Sequence, residues 1–188
     1  MRKIVIWDVM TLDGYFEGVK PWDLGFHDTV WGKELEDFSL EQAKDIGTLL
    51  FGRKTYEGMA AYWSKERGPI ADFMNSVEKV VVSNTQIKTP WNNSHQLDTN
   101  FGDAIRTLKN KLGKDIYVFG SAYLTSELLK HKFVDEIRIC LAPIILGAGN
   151  PLFKSPTDST SLELLETRQL KTGGVTLRYK VAAKEKSK

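Results

Sequence analysis

The chain has 188 residues, 41% of them hydrophobic and 27% charged, the balance of a folded domain with enough apolar mass for a full core. Its 26 basic and 24 acidic residues leave a formal net charge of +2, which gives no global electrostatic case for a nucleic-acid or membrane-surface binder. The one cysteine, Cys140, excludes an internal disulfide and agrees with a reducing compartment. The start, MRKIVIWDVM, is basic and then apolar, but Asp8 interrupts it too early for a signal peptide. No apolar run approaches the ~20 residues of a membrane span, so a cytoplasmic protein is expected.

In chain order, the β-branched run from Lys3 to Val9 predicts a strand. The following TLDGYFEGVKPWDLGFHD, dense in glycine, proline and aspartate, predicts a long functional loop. Ser39 and Gln42 fit a capping box, which predicts a short helix closed by Gly47. TLLF reads as a strand, with a helix from Thr55 onward. A strand over Lys79 to Ser83 is followed by a helix that carries Phe101, Ile105, Leu108 and Leu112 at helical spacing, with Asn100 as its cap. DIYVFG is a strand and SAYLTSELLKH a helix that begins at Ser121. FVDEIRICLAPIIL predicts a long strand with Ile137, Ile139 and Leu141 on one face and Arg138 and Cys140 on the other. GVTLRYKV alternates strictly, with Val175, Leu177, Tyr179 and Val181 on one face. Strands alternate with helices up to about Lys132, which argues for parallel strands. Helix-free strands follow, which argues for an antiparallel pair at one edge. The fold class is therefore α/β, one domain over residues 1–182 with a central, mostly parallel mixed sheet, and a charged tail at 183–188.

The candidate chemistry lies at strand ends. Gly52-Arg53-Lys54-Thr55 combines a glycine that admits close backbone approach, two cations for charge-assisted contacts, and a hydroxyl that can cap the next helix. Ser83-Asn84-Thr85 offers three hydrogen-bonding side chains and no acid. Gly120-Ser121-Ala122 again runs from a strand into a helix N-terminus. In parallel sheets such ends share one edge, so the three together predict one phosphate-rich ligand. An acid at these ends would suit a ribose hydroxyl, whereas Arg53 suits a 2′-phosphate, which favours NADPH over NADH.

Other patterns carry less. Gly47 to Thr55 reads G-x-x-x-x-G-R-K-T, near a P-loop, but a buried strand separates its glycines. Gly147-Ala148-Gly149 lacks the third glycine of a dinucleotide fingerprint. His27, His95 and His131 are scattered, and no metal site is readable.

MTLDGYF, LLFGRKTYEGM, KVVVSNT, IYVFGSAYLTSELL and VDEIRICLAPIILGAGNPLF occur in that order over nearly the whole chain. The set resembles the dihydrofolate-reductase-like superfamily, in particular the reductase domain of the bifunctional deaminase-reductase of riboflavin synthesis. The resemblance implies a mixed sheet that binds NADPH, and a homodimer. It implies that Gly52, Arg53, Lys54 and Thr55 hold the pyrophosphate and 2′-phosphate, and that Ser83 and Asn84 flank the adenosine. Gly120, Ser121, Ala122, Tyr123 and Leu124 would pack under the pyrophosphate and nicotinamide, with Val9 and Phe16 bordering the ring. Asp13 matches the acid of the family's S-L-D-G pattern; as a turn residue before Gly14 it has an equally simple structural reading. Pro21-Trp22-Asp23-Leu24 echoes the stretch that precedes the pteridine-binding acid of dihydrofolate reductases. Here that position is His27, with Asp28 one further on, and Glu34, Glu36, Asp37 and Glu41 follow as other candidates. Asp13 and Asp28 are the candidate catalytic residues. The leading expectation is an NADPH-dependent reductase of a small heterocyclic or carbonyl substrate, of the 5-amino-6-(5-phosphoribosylamino)uracil reductase type. A dihydrofolate reductase and a non-catalytic nucleotide-binding domain are the alternatives.

Overall fold

The computed structural model describes residues 1–97, 100–154 and 159–182, so the tail expected at 183–188 lies outside the described residues. The strands are β1 (Ile4–Thr11), β2 (Tyr15–Glu17), β3 (Ile46–Gly52), β4 (Glu78–Val82), β5 (Ser94–Gln96), β6 (Asp115–Phe119), β7 (Glu136–Ala142), β8 (Asn150–Pro151), β9 (Leu162–Gln169) and β10 (Val175–Val181). The α-helices are α1 (Lys33–Ala43), α2 (Arg53–Trp63), α3 (Pro69–Ser76), α4 (Phe101–Asn110) and α5 (Ala122–Lys130), with a short 3-10 turn at Gly25–Thr29. Eight strands form one sheet in the order β5-β4-β3-β6-β1-β7-β10-β9, while β2 and β8 pair separately. The strands from β5 to β7 run parallel, and β10 is antiparallel to both β7 and β9.

Alternation along the strands builds a core on each face. Ile4, Ile6 and Met10 of β1 join Val118, Ile137 and Ile139 under Ile105 and Leu108 of α4 and Leu124 and Leu128 of α5. On the other face, Val5, Leu49, Phe51 and Tyr117 pack against Tyr56 of α2 and Met74 of α3. Cys140 and Ala142 there meet Leu35 of α1. The opposite-face reading of β7 holds, and the strand stops at Ala142 because Pro143 has no N–H to continue the ladder.

Several local expectations give way. The capping box at Ser39 does not form, because α1 starts at Lys33, with Glu34 and Glu36 in its first turn. The Ser39 hydroxyl instead donates to the Leu35 carbonyl at 2.8 Å, and buried Gln42 accepts from Arg138 at 3.0 Å. Gly47 closes no helix and lies within β3. Leu112 falls beyond α4 and is fully exposed, whereas Asn100 does cap α4 by accepting from the Gly102 N–H. The edge strand β9 is exposed at every position, so no hydrophobic period marks it in the sequence.

The antiparallel side of the sheet carries a buried charge cluster. Glu136 is 2% exposed and is bonded by Lys3 at 2.6 Å, Arg178 at 2.9 Å and Arg138 at 3.0 Å. Burial alone would raise this carboxyl, but the hydrogen bonds from Arg178, Lys3 and Arg138 overcome it and hold the pKa down to about 2.

Candidate functional site

The chain leaves β3 toward the face that carries α2 and α3, but leaves β6 toward the face that carries α5. Since β3 and β6 are neighbours, their loops part in opposite directions above their carboxyl ends. Such a divergence is the topological switch point at which open α/β sheets bind ligands.

Two of the three strand exits singled out in the sequence, those of β3 and β6, meet here, while the β4 exit lies one strand further out. The Gly52 N–H donates to the Ser121 hydroxyl oxygen at 2.9 Å, and that hydroxyl donates to Thr55 Oγ1 at 2.6 Å. The exits of β3 and β6 are thus joined by side-chain hydrogen bonds. Ser121 occupies the cap position of α5 with φ 61°, but it makes no side-chain bond to its own helix. Thr55 is not the cap of α2 either; Gly52 holds that position. At Gly120, with φ +65°, an added Cβ would lie 3.4 Å from Thr55 Cγ2, 3.7 Å from Phe16 Cε2 and 4.0 Å from Asp8 Oδ1. At Gly52 it would lie 3.2 Å from the Ser121 hydroxyl. At Gly120 the left-handed φ favours glycine, and at Gly52 an added Cβ would press on the Ser121 hydroxyl.

The two helices that start at these exits differ from the others. α1, α3 and α4 each carry an acid in the first turn, namely Glu34 with Glu36, Asp72 and Asp103. α2 and α5 carry none, and like α1 and α3 they have no side-chain cap. Their first-turn N–H groups and the positive ends of their dipoles are left for an anion. Arg53 and Lys54 are exposed beside them, and Arg53 makes only a loose 3.7 Å pair with Glu57. At the β4 exit the Ser83 hydroxyl donates to the Thr85 carbonyl at 2.8 Å, the Gln96 amide donates to the carbonyls of Ser83 and Thr85, and Asn84 is exposed.

The remaining candidates are spread around this centre. Ala122 and Leu124 are buried in the core, so α5 offers the cleft its backbone and Ser121, while Tyr123 is exposed. Phe16 packs on the α4–α5 face and Val9 on the α1 face, so they border β1 from opposite sides of the sheet. Asp13 is exposed, and its carboxylate accepts from the Gly147 N–H at 2.8 Å and the Leu146 N–H at 3.2 Å. The Thr11 hydroxyl and these amides hold it below the usual carboxylate range. This pins the turn after β1 to the glycine-rich loop, in keeping with the turn reading. Asp28 is exposed on the 3-10 turn. Beside it, burial pushes His27 down to about 4, against the opposing pull of Asp28, and leaves Nε2 closed off without a partner.

Two features had little signal in the sequence. Asp8, on β1, accepts the Gly120 N–H at 2.9 Å on Oδ1, while Oδ2 is buried and unpartnered. Burial pushes its pKa well above the usual range, against the one Gly120 hydrogen bond. Its only sequence mark is a carboxylate inside an apolar strand. The second feature is Trp22, held at φ 65° with its indole over Gly58 of α2, where an added Cβ would fall 1.8 Å from Cζ2. Glu17 bonds the Trp22 N–H at 2.6 Å and Asn150 at 2.7 Å, which fixes this strap beside the cleft.

The sheet order and helix placement define an α/β domain of the dihydrofolate-reductase-like fold. The family model of the RibD C-terminal domain matches residues 2–176, and the chain belongs to that family, a family of reductase domains. Uncharacterized protein YyaP of Bacillus subtilis (strain 168) is 29% identical over 191 residues, covering 95% of this chain and 94% of the relative. A putative riboflavin biosynthesis protein from Shewanella sp. PV-4 superposes with a TM-score of 0.79 at 21% identity, over 96% of this chain and 99% of that one. Dihydrofolate reductase from Enterococcus faecalis, complexed with NADP(H) and RAB-propyl, superposes with a TM-score of 0.65 at 16% identity, over 96% and 97% of the two chains. Likeness at these identities is likeness of fold.

Proposed function

We propose that the protein is an NADPH-dependent reductase that acts on a small heterocyclic or carbonyl substrate, of the riboflavin-pathway uracil-reductase type. The observation that carries this reading is the pairing of α2 and α5 at one cleft, the two helices without a first-turn acid or a side-chain cap. The residues present fit a dinucleotide. Gly52 and Gly120 leave the backbone accessible, the first-turn amides of α2 and α5 suit the pyrophosphate, and Arg53 and Lys54 suit a 2′-phosphate. Ser83 and Asn84 lie one strand further out, where the adenosine would rest. When bound, the reduced nicotinamide supplies the hydride; the protein contributes position, exclusion of water and a proton. Family membership and the NADP(H)-bound neighbour of the same fold support the cofactor.

Calorimetry tests this directly. NADPH should bind at least ~tenfold more tightly than NADH, about 1.4 kcal/mol for one phosphate, and Arg53→Ala should erase most of the difference. Equal affinities would remove the 2′-phosphate assignment. The dihydrofolate reductase reading is weaker here, because the position of the pteridine acid holds a closed, neutral His27 and Asp28 beside it is exposed. Tight antifolate binding that Asp28→Asn abolishes would restore that reading. Cofactor binding with no turnover on a pterin and carbonyl panel would favour the non-catalytic alternative. The proposal includes a cytoplasmic homodimer that uses the β9 edge, where Leu162, Leu164 and Leu165 are exposed. A monomeric mass by light scattering would remove the dimer.

A further inference from the structure

The crossover from β4 to β5, residues 83–93, contains no helix and no strand, although parallel neighbours are usually joined through a helix. Its first turn is shaped by a side chain from outside it. Gln96, on the edge strand β5 opposite Val81, reaches back past the end of β4. Its Nε2 donates to the Thr85 carbonyl at 2.9 Å and to the Ser83 carbonyl at 3.3 Å, while its Oε1 accepts the Ile87 N–H at 3.0 Å. One amide thus serves three residues of a single turn, as donor to two and acceptor to the third. Within the turn the Ser83 hydroxyl donates to the Thr85 carbonyl at 2.8 Å and accepts the Thr85 N–H at 3.2 Å. At the far end, Ile87 packs against the core shared with α2 and α3.

The parallel register pairs Gly52 with Val82, so Ser83 leaves the sheet beside Arg53 in the first turn of α2. The Ser83 hydroxyl is already used inside its own turn, which leaves the exposed Asn84 side chain and the turn's backbone to meet a ligand. If such a turn held its bound form only part of the time, affinity would fall by that fraction. We propose that Gln96 is a positioning residue of the cleft, its amide fixing the turn at 83–87 in the form that receives the adenosine end of the dinucleotide beside Arg53. This role rests on the dinucleotide reading of the cleft, and Gln96 itself makes no contact with the ligand. The position needs an amide, because the carbonyls of Ser83 and Thr85 require donors and the Ile87 N–H requires an acceptor. Methionine matches the length and supplies neither.

The test uses the full chain and two probes, NADPH and its adenosine half, adenosine 2′,5′-bisphosphate. By calorimetry, Gln96→Met should bind the adenosine half roughly tenfold more weakly than wild type, as for a turn formed about one-tenth of the time. At saturating NADPH, the amide shifts of this variant should move as in wild type at residues 52–55 and 120–122, but less than in wild type at 83–87. In wild type, hydrogen exchange of the Ile87 N–H should slow when adenosine 2′,5′-bisphosphate binds. If Gln96→Met fails to fold, the wild-type exchange still decides. Three results each overturn the proposal while the cofactor reading stands: equal affinity of variant and wild type for the adenosine half, shifts lost alike at all three exits, or an Ile87 N–H that exchanges no more slowly with the probe bound. A wild-type protein that binds NADPH but not its adenosine half overturns it as well. A wild-type protein that binds neither probe overturns both.

Discussion

Two carboxyl groups buried in the same sheet have opposite fates. Glu136, on the antiparallel side, is bonded by Lys3, Arg138 and Arg178 and is held at about 2. Asp8, at the edge of the cleft, has one backbone N–H and an unpartnered oxygen, and burial drives it up. The difference lies in their partners, since neither has its carboxyl open to water. Three cations keep the buried Glu136 charged, whereas at Asp8 a single backbone N–H does not offset burial, which favours the neutral acid.

The largest effect that would break this contrast is expected at Glu136. Glu136→Gln leaves buried Arg138 without its carboxylate, while Lys3 and Arg178 can turn to water, and should cost about 3 kcal/mol, read by urea unfolding at pH 7. A loss below 1 kcal/mol would show that the cluster is already well hydrated. The same comparison predicts opposite pH slopes. The folded pKa of Glu136 is depressed, so its contribution, on the order of 3 kcal/mol, is present above about pH 4.5 and lost as pH falls toward 2. Asp8 is raised, so the native state holds a proton that the unfolded chain gives up near pH 4. Stability relative to Asp8→Asn should therefore fall as pH rises from there toward the folded pKa. Parallel stability–pH curves for Asp8→Asn and wild type would contradict this.

Smaller effects sharpen the cleft side. Ser121→Ala removes the acceptor of the Gly52 N–H and should cost about 1–2 kcal/mol by thermal unfolding, together with weaker NADPH binding. Gly58→Ala should change stability by less than about 1 kcal/mol, because alanine favours the helix, yet it must expel the Trp22 indole. Tryptophan emission should shift to the red; an unchanged spectrum would mean that the indole adapts in place.

Much of the sheet was legible because its parallel strands are short β-branched runs, and the exits at Gly52, Ser83 and Gly120 announce themselves by residue type. What was illegible depended on tertiary direction. The hydroxyl of Ser121 looks like a helix cap in sequence, but it turns across to Gly52 and Thr55 once β3 and β6 lie side by side. Ser39 and Gln42 mimic a cap because nothing local shows that α1 already began at Lys33. β9 has no period because both of its faces are exposed. Asp8 is one acid in an apolar run until the parallel register Trp7↔Phe119 sets it against Gly120.

The central claim is that the exits of β4, β3, β6 and β1 surround one dinucleotide. Amide chemical-shift mapping with NADPH tests it most directly. The largest shifts should fall at Asp8, at Gly52 to Thr55, at Ser83 and Asn84, and at Gly120 to Ala122. Shifts confined to β9 and β10, or none at saturating NADPH, would contradict it.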